Sequence, residues 1–369
     1  MSRPTISKAS TTYPLYAASW SNGRPGFLVV GGGGGAGRHG VKNSIAVFDF
    51  SSRAPEIEAC AELEVSKDDS VTCLANLATK DGLIVYGGSG SSVDDRLQSK
   101  DMHFKSFEVD LPRSKTASTS EKSGAIRPSS KCQLFTPPKA ESAKKEVYQR
   151  LLRLSPPPRT TSSTPNKRIG AIATGLAGSE NEIVIFSATS NRPDAQDIIR
   201  RIPLKEKEAN DLDILDEGEG RFQVAYAQDY EVYTQDCNFD FAQRRNKTEK
   251  ERRKVYSIPQ PDVGEKKLRS KVRGLRWISP KHLLLVVNRP SRTGAELLVL
   301  HMYEEGPGSI VMRHKLPKHV SAATDFDVAL LEADASGAYQ VAVAVGSADN
   351  SLSVFTLDYS GNSVGRFHK

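Results

Sequence analysis

The sequence predicts an all-β chain that folds as a β-propeller, WD-repeat-like but divergent. Short apolar runs rich in β-branched residues recur along the 369 residues at intervals of about 40 to 60, each bounded by turn residues. Helical periodicity is largely missing. The repeat is divergent because the Gly-His and Trp-Asp pairs that punctuate standard WD repeats do not occur at the expected places.

Six blade-like units can be read, each with a buried inner strand followed by an alternating strand. The first unit runs from Tyr16 through 27–30 to 44–50, and the second combines 71–75, 83–88 and 103–109. The other four centre on 169–187, 222–234, 272–303 and 326–357. We expect closure of the ring to need one more blade, either from the N-terminal segment or from chain beyond these residues.

We expect residues 1–369 to form a single propeller domain with one insertion. Residues 111–168 are rich in Ser, Thr, Lys and Pro, a composition that buries too little apolar surface to order throughout. The composition favours a disordered or mobile surface insertion, with a phosphorylated regulatory loop as the sharper alternative. Within it, 146–154 has enough apolar residues for a short helix or strand.

Charge and chemistry-bearing residues exclude several classes of function. The net charge is +7, but the basic runs 244–254 and 266–273 contain or adjoin glutamates and lack interleaved aromatics for base stacking. We therefore expect no nucleic-acid partner, and interpret both runs as solvated loops or as a face that tolerates an anionic membrane. The four cysteines and seven histidines are dispersed, without the spacing of a zinc site.

No targeting segment is visible. The N-terminus lacks an apolar core of signal-peptide length, so we expect the protein to begin in the cytosol. No run approaches the roughly 18 apolar residues that a membrane-spanning helix needs.

The run 31–40 contains seven glycines, the last of them Gly40, and follows a buried strand; it is the most distinctive segment of the chain. Gly35, Gly37 and Gly40 formally match a dinucleotide fingerprint, but an alternating strand follows where the fingerprint requires a helix. No Gly-Lys-Ser/Thr triplet makes it a P-loop. We interpret it as a loop between adjacent strands of one blade, whose carbonyls could ligate a hard cation; a floppy surface loop is the alternative.

Residues 30–35 and 40–43, preceded by 13–17, resemble the first blade of a known family. This family is that of the endoplasmic-reticulum guanine-nucleotide exchange factors of the small GTPase that starts COPII coat assembly, the prolactin regulatory element-binding protein family. The strings 69–72 and 346–351 are similar to equivalent stretches of that family.

The resemblance implies a seven-bladed propeller on the cytosolic face of the endoplasmic reticulum membrane, monomeric and held by a C-terminal anchor that is absent from this chain. The loop 31–43 would engage the GTPase, with its functional limb formed by Gly40, Val41 and Asn43 and with Val41 as the apolar tip. Lys42 departs from the proline that some members have there. The resemblance also implies a potassium ion in the loop, which we assign to Gly31, Gly33, Gly35 and Asn43.

The implied activity is guanine-nucleotide exchange without covalent chemistry: the exchange factor binds the nucleotide-free GTPase more tightly than the GDP-bound form. The chain is then not an enzyme in the bond-making sense, in agreement with the missing catalytic motifs. Alternatives stay open: a non-catalytic propeller scaffold of the early secretory pathway, a propeller enzyme with polar residues in its channel, and DNA binding, which steep salt dependence would reveal.

Overall fold

The apolar runs of the sequence become strands in a computed structural model. It describes residues 6–36, 40–67, 69–112, 124–137, 147–156, 168–247, 250–260, 268–331, 338–360 and 363–368. The chain divides into two compact units, 1–208 with 241–245 and 209–240 with 246–369.

The first unit contains three four-stranded antiparallel sheets. Its first sheet has the order β2-β3-β4-β6, and the short β1 pairs with β5 in parallel. The strands are β1 (Lys8–Ala9), β2 (Leu15–Trp20), β3 (Phe27–Gly32), β4 (Asn43–Asp49), β5 (Glu56–Ile57) and β6 (Ala59–Ser66). The described part of the N-terminal segment thus joins the first unit and builds no further blade.

The second and third sheets continue the pattern with the orders β7-β8-β9-β10 and β11-β12-β13-β14. Their elements are β7 (Cys73–Ala78), β8 (Gly82–Gly88), α1 (Val93–Leu97), β9 (Phe104–Asp110), β10 (Ala125–Cys132), β11 (Tyr148–Leu154), β12 (Ile169–Gly175), β13 (Asn181–Ser187) and β14 (Ile198–Lys205).

The second unit contains one five-stranded and two four-stranded antiparallel sheets. The fourth sheet is β15-β16-β17-β18 with β19 also on β17, the fifth is β20 to β23, and the sixth is β24 to β27. The strands are β15 (Asp211–Gly218), β16 (Arg221–Gln228), β17 (Glu231–Asp240), β18 (Arg245–Asn246), β19 (Arg253–Ser257), β20 (Lys271–Ser279), β21 (His282–Asn288), β22 (Ala295–His301), β23 (Ser309–Lys315), β24 (Ala323–Leu330), β25 (Tyr339–Ser347), β26 (Leu352–Ser360) and β27 (Ser363–His368).

The six units read from the sequence coincide with these six sheets, but one prediction fails in part. The segment 111–168 was expected to be a disordered or mobile insertion, yet Ala125–Cys132 pairs with β9 and Tyr148–Leu154 pairs with β12. That prediction is wrong for Ala125–Cys132, because backbone pairing on an existing sheet edge orders a strand that few apolar residues mark. β11 agrees with the short helix or strand expected within 146–154. Residues 113–123, 138–146 and 157–167 lie outside the described part of the chain.

Alternation along each strand builds the core between successive sheets. Val29, Ile45 and Val47 point from the first sheet toward Leu74 and Val85 of the second, within one buried cluster. Three further clusters join the second sheet to the third, the fourth to the fifth and the fifth to the sixth. Within the described residues, the one α-helix is α1, and no helix has the length and apolar character needed to cross a membrane.

Buried polar groups tie the sheets of the second unit together. The Arg276 side chain on β20 is buried, and its guanidinium bonds to Asp211 on β15 and, through Nε at 2.8 Å, to Asp327 on β24. Three successive first strands are therefore joined by one charge network.

A second buried group links the fifth and sixth sheets. Nδ1 of His282 lies 2.7 Å from the hydroxyl oxygen of Tyr359 and 3.1 Å from Oγ of Ser279, and its Nε2 lies 3.2 Å from Nδ1 of His301. Burial first, and then the neighbouring His301 and Lys281, lowers the pKa of His282 to about 4. The imidazole is therefore neutral in the folded chain near neutral pH.

This lowered pKa predicts an acid-side loss of stability. An unfolded histidine takes up a proton near pH 6.5, whereas folded His282 does so near pH 4. The contribution of neutral, buried His282 to the free energy of unfolding is thus complete above about pH 6.5 and is lost as the pH falls toward 4. Urea unfolding at about pH 7.5 and about pH 5 should show a smaller pH difference for His282→Gln than for wild type. Equal pH differences in the two proteins would contradict the assignment.

Candidate functional site

The glycine-rich loop leaves the first sheet between β3 and β4, as predicted. These neighbouring strands are antiparallel, and their last pair is Gly32 with Ser44. Residues 33–36 and 40–42 of the loop are described, and 37–39 lie outside the described residues. The loop is thus a hairpin connection between the ends of the two central strands of the first sheet.

A side-chain amide closes the neck of this loop. Asn43 Oδ1 accepts a hydrogen bond from the backbone N–H of Gly35 at 2.9 Å, and Asn43 Nδ2 donates to the Gly35 carbonyl at 2.8 Å. Asn43 is 2% exposed, whereas Gly35 is half-buried, so both bonds are partly shielded from water. The pair acts as a cross-brace that fixes the path of the backbone at residues 33–35.

Two glycines are required here by conformation and space. Gly33 has φ +143°, and a Cβ on it would overlap the Asn43 side chain. Gly31 lies inside β3, where a Cβ would come within 2.8 Å of Val71 Cγ1 and 2.9 Å of Leu74 Cδ1. A side chain at either position would therefore displace the brace or separate the first two sheets.

The functional limb predicted from the sequence has three differently placed members. Gly40 is exposed with φ +66°, Val41 is half-buried, and Asn43 is buried. A Cβ on Gly34 would lie 2.8 Å from Cβ of Val41, so the valine packs over the backbone of the opposite limb. Val41 is therefore held in place by its own loop while part of its surface stays open.

The residues assigned to potassium are only partly gathered in the loop. Gly33, Gly35 and Asn43 meet at the neck, whereas Gly31 lies within the sheet, paired with Ala17 and Ile45. Carbonyl and amide oxygens are suitable donors for a hard cation, and each oxygen of the Asn43–Gly35 pair keeps a second acceptor position. Gly31 is therefore the assigned residue that the structure keeps apart from the other three.

Asp69 holds backbone and side-chain groups next to the glycine-rich loop by hydrogen bonds. The sequence alone did not predict this role. Its carboxylate accepts from the N–H of Ser70 at 2.8 Å and of Gly90 at 2.9 Å, and its carbonyl accepts from Ser89 Oγ. Burial raises the pKa of Asp69. The sequence analysis singled out residues 69–72 only because they are similar to the family. The pattern that could have predicted the role of Asp69 is an aspartate just before β7 together with a Gly- and Ser-rich turn just after β8.

Three of the four cysteine thiols lie in settings that disfavour the thiolate. Burial raises the pKa of the Cys60 thiol to about 11 and that of Cys73 and Cys132 to about 12, so their reactive thiolates are disfavoured. Among those residues, no group of three or more His, Cys, Asp or Glu side chains could hold a metal ion.

Six of the seven basic side chains in the run 244–254 have partners among the described residues. Four of its side chains bind acidic partners: Arg244 with Asp197, Lys247 with Asp240, Lys250 with Asp236 and Lys254 with Glu231. Arg252 and Arg253 donate to Tyr226 and to two backbone carbonyls. These cations are engaged within the protein.

Comparison with known proteins supports the fold. No protein-family model matches the chain, and no curated protein matches it. Among solved structures, Chaetomium thermophilum Sqt1 is 13% identical, with a TM-score of 0.52 over 95% of this chain and 71% of that chain. The likeness concerns the fold alone, which is that of a WD-repeat-like β-propeller.

Two weaker likenesses have TM-scores below one half. A protein of unknown function from Dyadobacter fermentans is 10% identical, with a TM-score of 0.48 over 95% of both chains. The WD40 domain of SCAP from fission yeast is 10% identical, with a TM-score of 0.42 over 95% of this chain and 64% of that chain.

The Asn43 brace predicts a local effect of mutation. Asn43→Ala removes both bonds to Gly35 and should lower the free energy of unfolding by about 1 to 3 kcal/mol. It should also speed hydrogen exchange at the Gly35 amide, measurable by mass spectrometry. Ser44→Ala is the matched control, because Ser44 is adjacent and similarly buried but its hydroxyl has no partner among the described residues. Equal effects of the two substitutions would contradict the brace.

Proposed function

We propose that this protein is a guanine-nucleotide exchange factor that promotes GDP release from the small GTPase initiating COPII coat assembly. The observation that carries the proposal is the braced glycine-rich loop of the first sheet, whose residues resemble the exchange-factor family. A loop that meets a partner already ordered loses less conformational entropy on binding than a flexible one. The resemblance adds the identity of the partner.

The mechanism follows from differential binding. The loop binds the GTPase better when nucleotide is absent, so complex formation shifts the GTPase toward its empty state. Gly40 allows close backbone approach at the exposed limb, Val41 supplies apolar contact, and Asn43 keeps the limb in position. No bond is made or broken by this chain, so the protein is proposed as a regulator without covalent chemistry.

The setting proposed with this function is the cytosolic face of the endoplasmic reticulum, where the protein acts as a monomer on a membrane-associated GTPase. A non-catalytic propeller scaffold is the alternative. The propeller fold favours it equally, because such folds present loops and sheet edges to other proteins. GDP release separates the two.

The exchange activity predicts a strong effect of a charge at Val41. Wild-type protein should accelerate release of a fluorescent GDP analogue from the purified GTPase, and Val41→Asp should reduce the acceleration by about ten- to a hundredfold, since a carboxylate would be desolvated in the contact. Val311→Asp, at an exposed apolar position on β23 of the second unit, is the matched control and should leave the rate unchanged.

Each outcome decides between the two functions. No acceleration by folded wild type would favour the scaffold. Acceleration that survives Val41→Asp would keep the exchange activity but remove the loop tip from it.

We also propose that a potassium ion is held at the neck by Gly33, Gly35 and Asn43, where it would add positive charge to a set of neutral oxygen donors. Exchange of potassium for sodium should then raise hydrogen exchange at the Gly35 amide and lower GDP release. Asn43→Ala should abolish the dependence on the cation. Identical Gly35 exchange in both salts would overturn the potassium assignment and leave the exchange activity untouched.

A further inference from the structure

The sixth sheet has one face that the core of the second unit does not cover. Phe326, Val343 and Phe355 point to the other face and belong to the buried cluster shared with the fifth sheet. Side chains alternate between the two faces of a strand, so Leu352 and Val354 of β26 point away from that cluster. Leu352 is 69% exposed and Val354 is 52% exposed. Two apolar side chains are thus held next to each other in solvent.

Strand pairing places these side chains beside small residues of β25. Leu352 pairs with Gly346, and Val354 pairs with Ala344. Paired residues of neighbouring strands point to the same face. Ala342, two residues before Ala344, continues the row, and all three small residues are half-buried. A floor of Gly and Ala therefore runs alongside an apolar wall formed by Leu352 and Val354.

The wall on the other side of this floor is acidic. Asp325 pairs with Gly346, and Asp327 pairs with Ala344. Asp325 is exposed, and the Asp327 side chain is 70% exposed while its carboxylate accepts from Nε of Arg276 at 2.8 Å. The floor and its two walls together form a concave surface, the β25 trough.

A polar cluster closes one end of the β25 trough. Gln340 lies two residues before Ala342 on the same face, and its Nε2 donates to Asp358 Oδ1 at 2.8 Å. Nε2 of His368 lies 2.7 Å from the other oxygen of that carboxylate. The floor from Ala342 to Gly346 is therefore about 13 Å long, at the usual rise of about 3.3 Å per residue of a strand.

The dimensions of the β25 trough suit one helix. Neighbouring strands lie about 4.8 Å apart, so the two walls, which stand on β24 and β26, are about 10 Å apart. An α-helix with its side chains is about 10 to 12 Å across, and a floor of Gly and Ala leaves room for those side chains. The backbone groups of β25 already pair with β24 and β26, so an occupant binds through side chains and not by adding a strand.

The two walls differ in charge, and this difference selects the kind of helix. The apolar wall and the floor favour an apolar stripe on the occupant, because burial removes Leu352 and Val354 from water. The carboxylates of Asp325 and Asp327 favour Lys or Arg along one side of that stripe, because complementary charges fix the orientation of a bound partner. A helix with acidic residues on that side would meet like charge.

We propose that the β25 trough binds an amphipathic helix of a partner protein, with an apolar stripe flanked on one side by basic residues. The inference goes beyond the proposed function, and it rests on the sixth sheet alone. Loss of the exchange activity would therefore leave it intact.

Two synthetic helical peptides of about 18 residues test the proposal. Both carry the same stripe of leucine and alanine, and the residues along one side of the stripe are lysine in one peptide and glutamate in the other. Binding of each labelled peptide to the full chain is measured by fluorescence anisotropy. The lysine peptide should bind at least about tenfold more tightly than the glutamate peptide, and raising NaCl from about 50 to about 300 mM should weaken its binding several-fold.

Matched variants locate the site. Leu352→Ser combined with Val354→Ser should weaken binding of the lysine peptide about tenfold. Ile310→Ser combined with Val311→Ser, at residues of β23 that are 40% and 49% exposed, is the control and should leave binding unchanged. Asp325→Asn keeps an oxygen that can accept from the N–H of Phe326 but removes the charge, so it should reduce the preference for lysine over glutamate.

Each outcome decides the proposal, once urea unfolding shows that the variants are as stable as wild type. Absence of lysine-peptide binding by folded wild type overturns it. Equal binding of the two peptides overturns the assigned charge, and equal binding by the trough variant and the β23 control overturns the location. Sedimentation that shows a wild-type dimer, lost when Leu352 and Val354 are replaced, would assign the β25 trough to a second copy and overturn the helix as occupant.

Discussion

The close approach of the first two sheets at Gly31 is the constraint on which the position of the glycine-rich loop depends. Val71 and Leu74 occupy the space that a side chain at Gly31 would need, and the N–H of Val71 then reaches the Gly32 carbonyl. The Pro14 carbonyl occupies the corresponding space over Gly32, and its oxygen accepts a hydrogen bond from the N–H of Gly33. The end of β3 is therefore held by contacts on both sides, and these contacts fix the position at which the glycine-rich loop begins.

Several buried polar groups hold segments of backbone in place. Asn43 braces a loop, Asp69 joins two loops, and Arg276 joins three first strands. Each is buried or partly buried and meets several partners, which is the arrangement that rigidifies a site and makes a polar group tolerable in the interior. The buried thiols follow the same logic, since burial disfavours their reactive form.

The sequence predicts the six sheets because apolar, β-branched runs bounded by turns carry a strong signal, as at 283–287 on β21. It does not predict β10, whose residues include Pro128 and are mostly polar, because pairing with β9 rather than burial places that strand. At the site, the glycine run predicts a loop with unusual backbone angles. The hydrogen-bond partners of Asn43 and Asp69 could not be predicted from the sequence, because those bonds depend on how the backbone folds back on itself.

The strands β10 and β11 lie within the Ser- and Pro-rich segment 111–168, so this segment cannot be deleted without removing parts of two sheets. A deletion of 111–168 looks harmless by composition, yet it would strip the outermost strand from the second sheet and the first strand from the third. The freed edges of β9 and β12 would offer rows of unpaired N–H and carbonyl groups, the template from which edge-to-edge aggregation begins. Residues that look dispensable in this segment therefore act as covers that protect solubility.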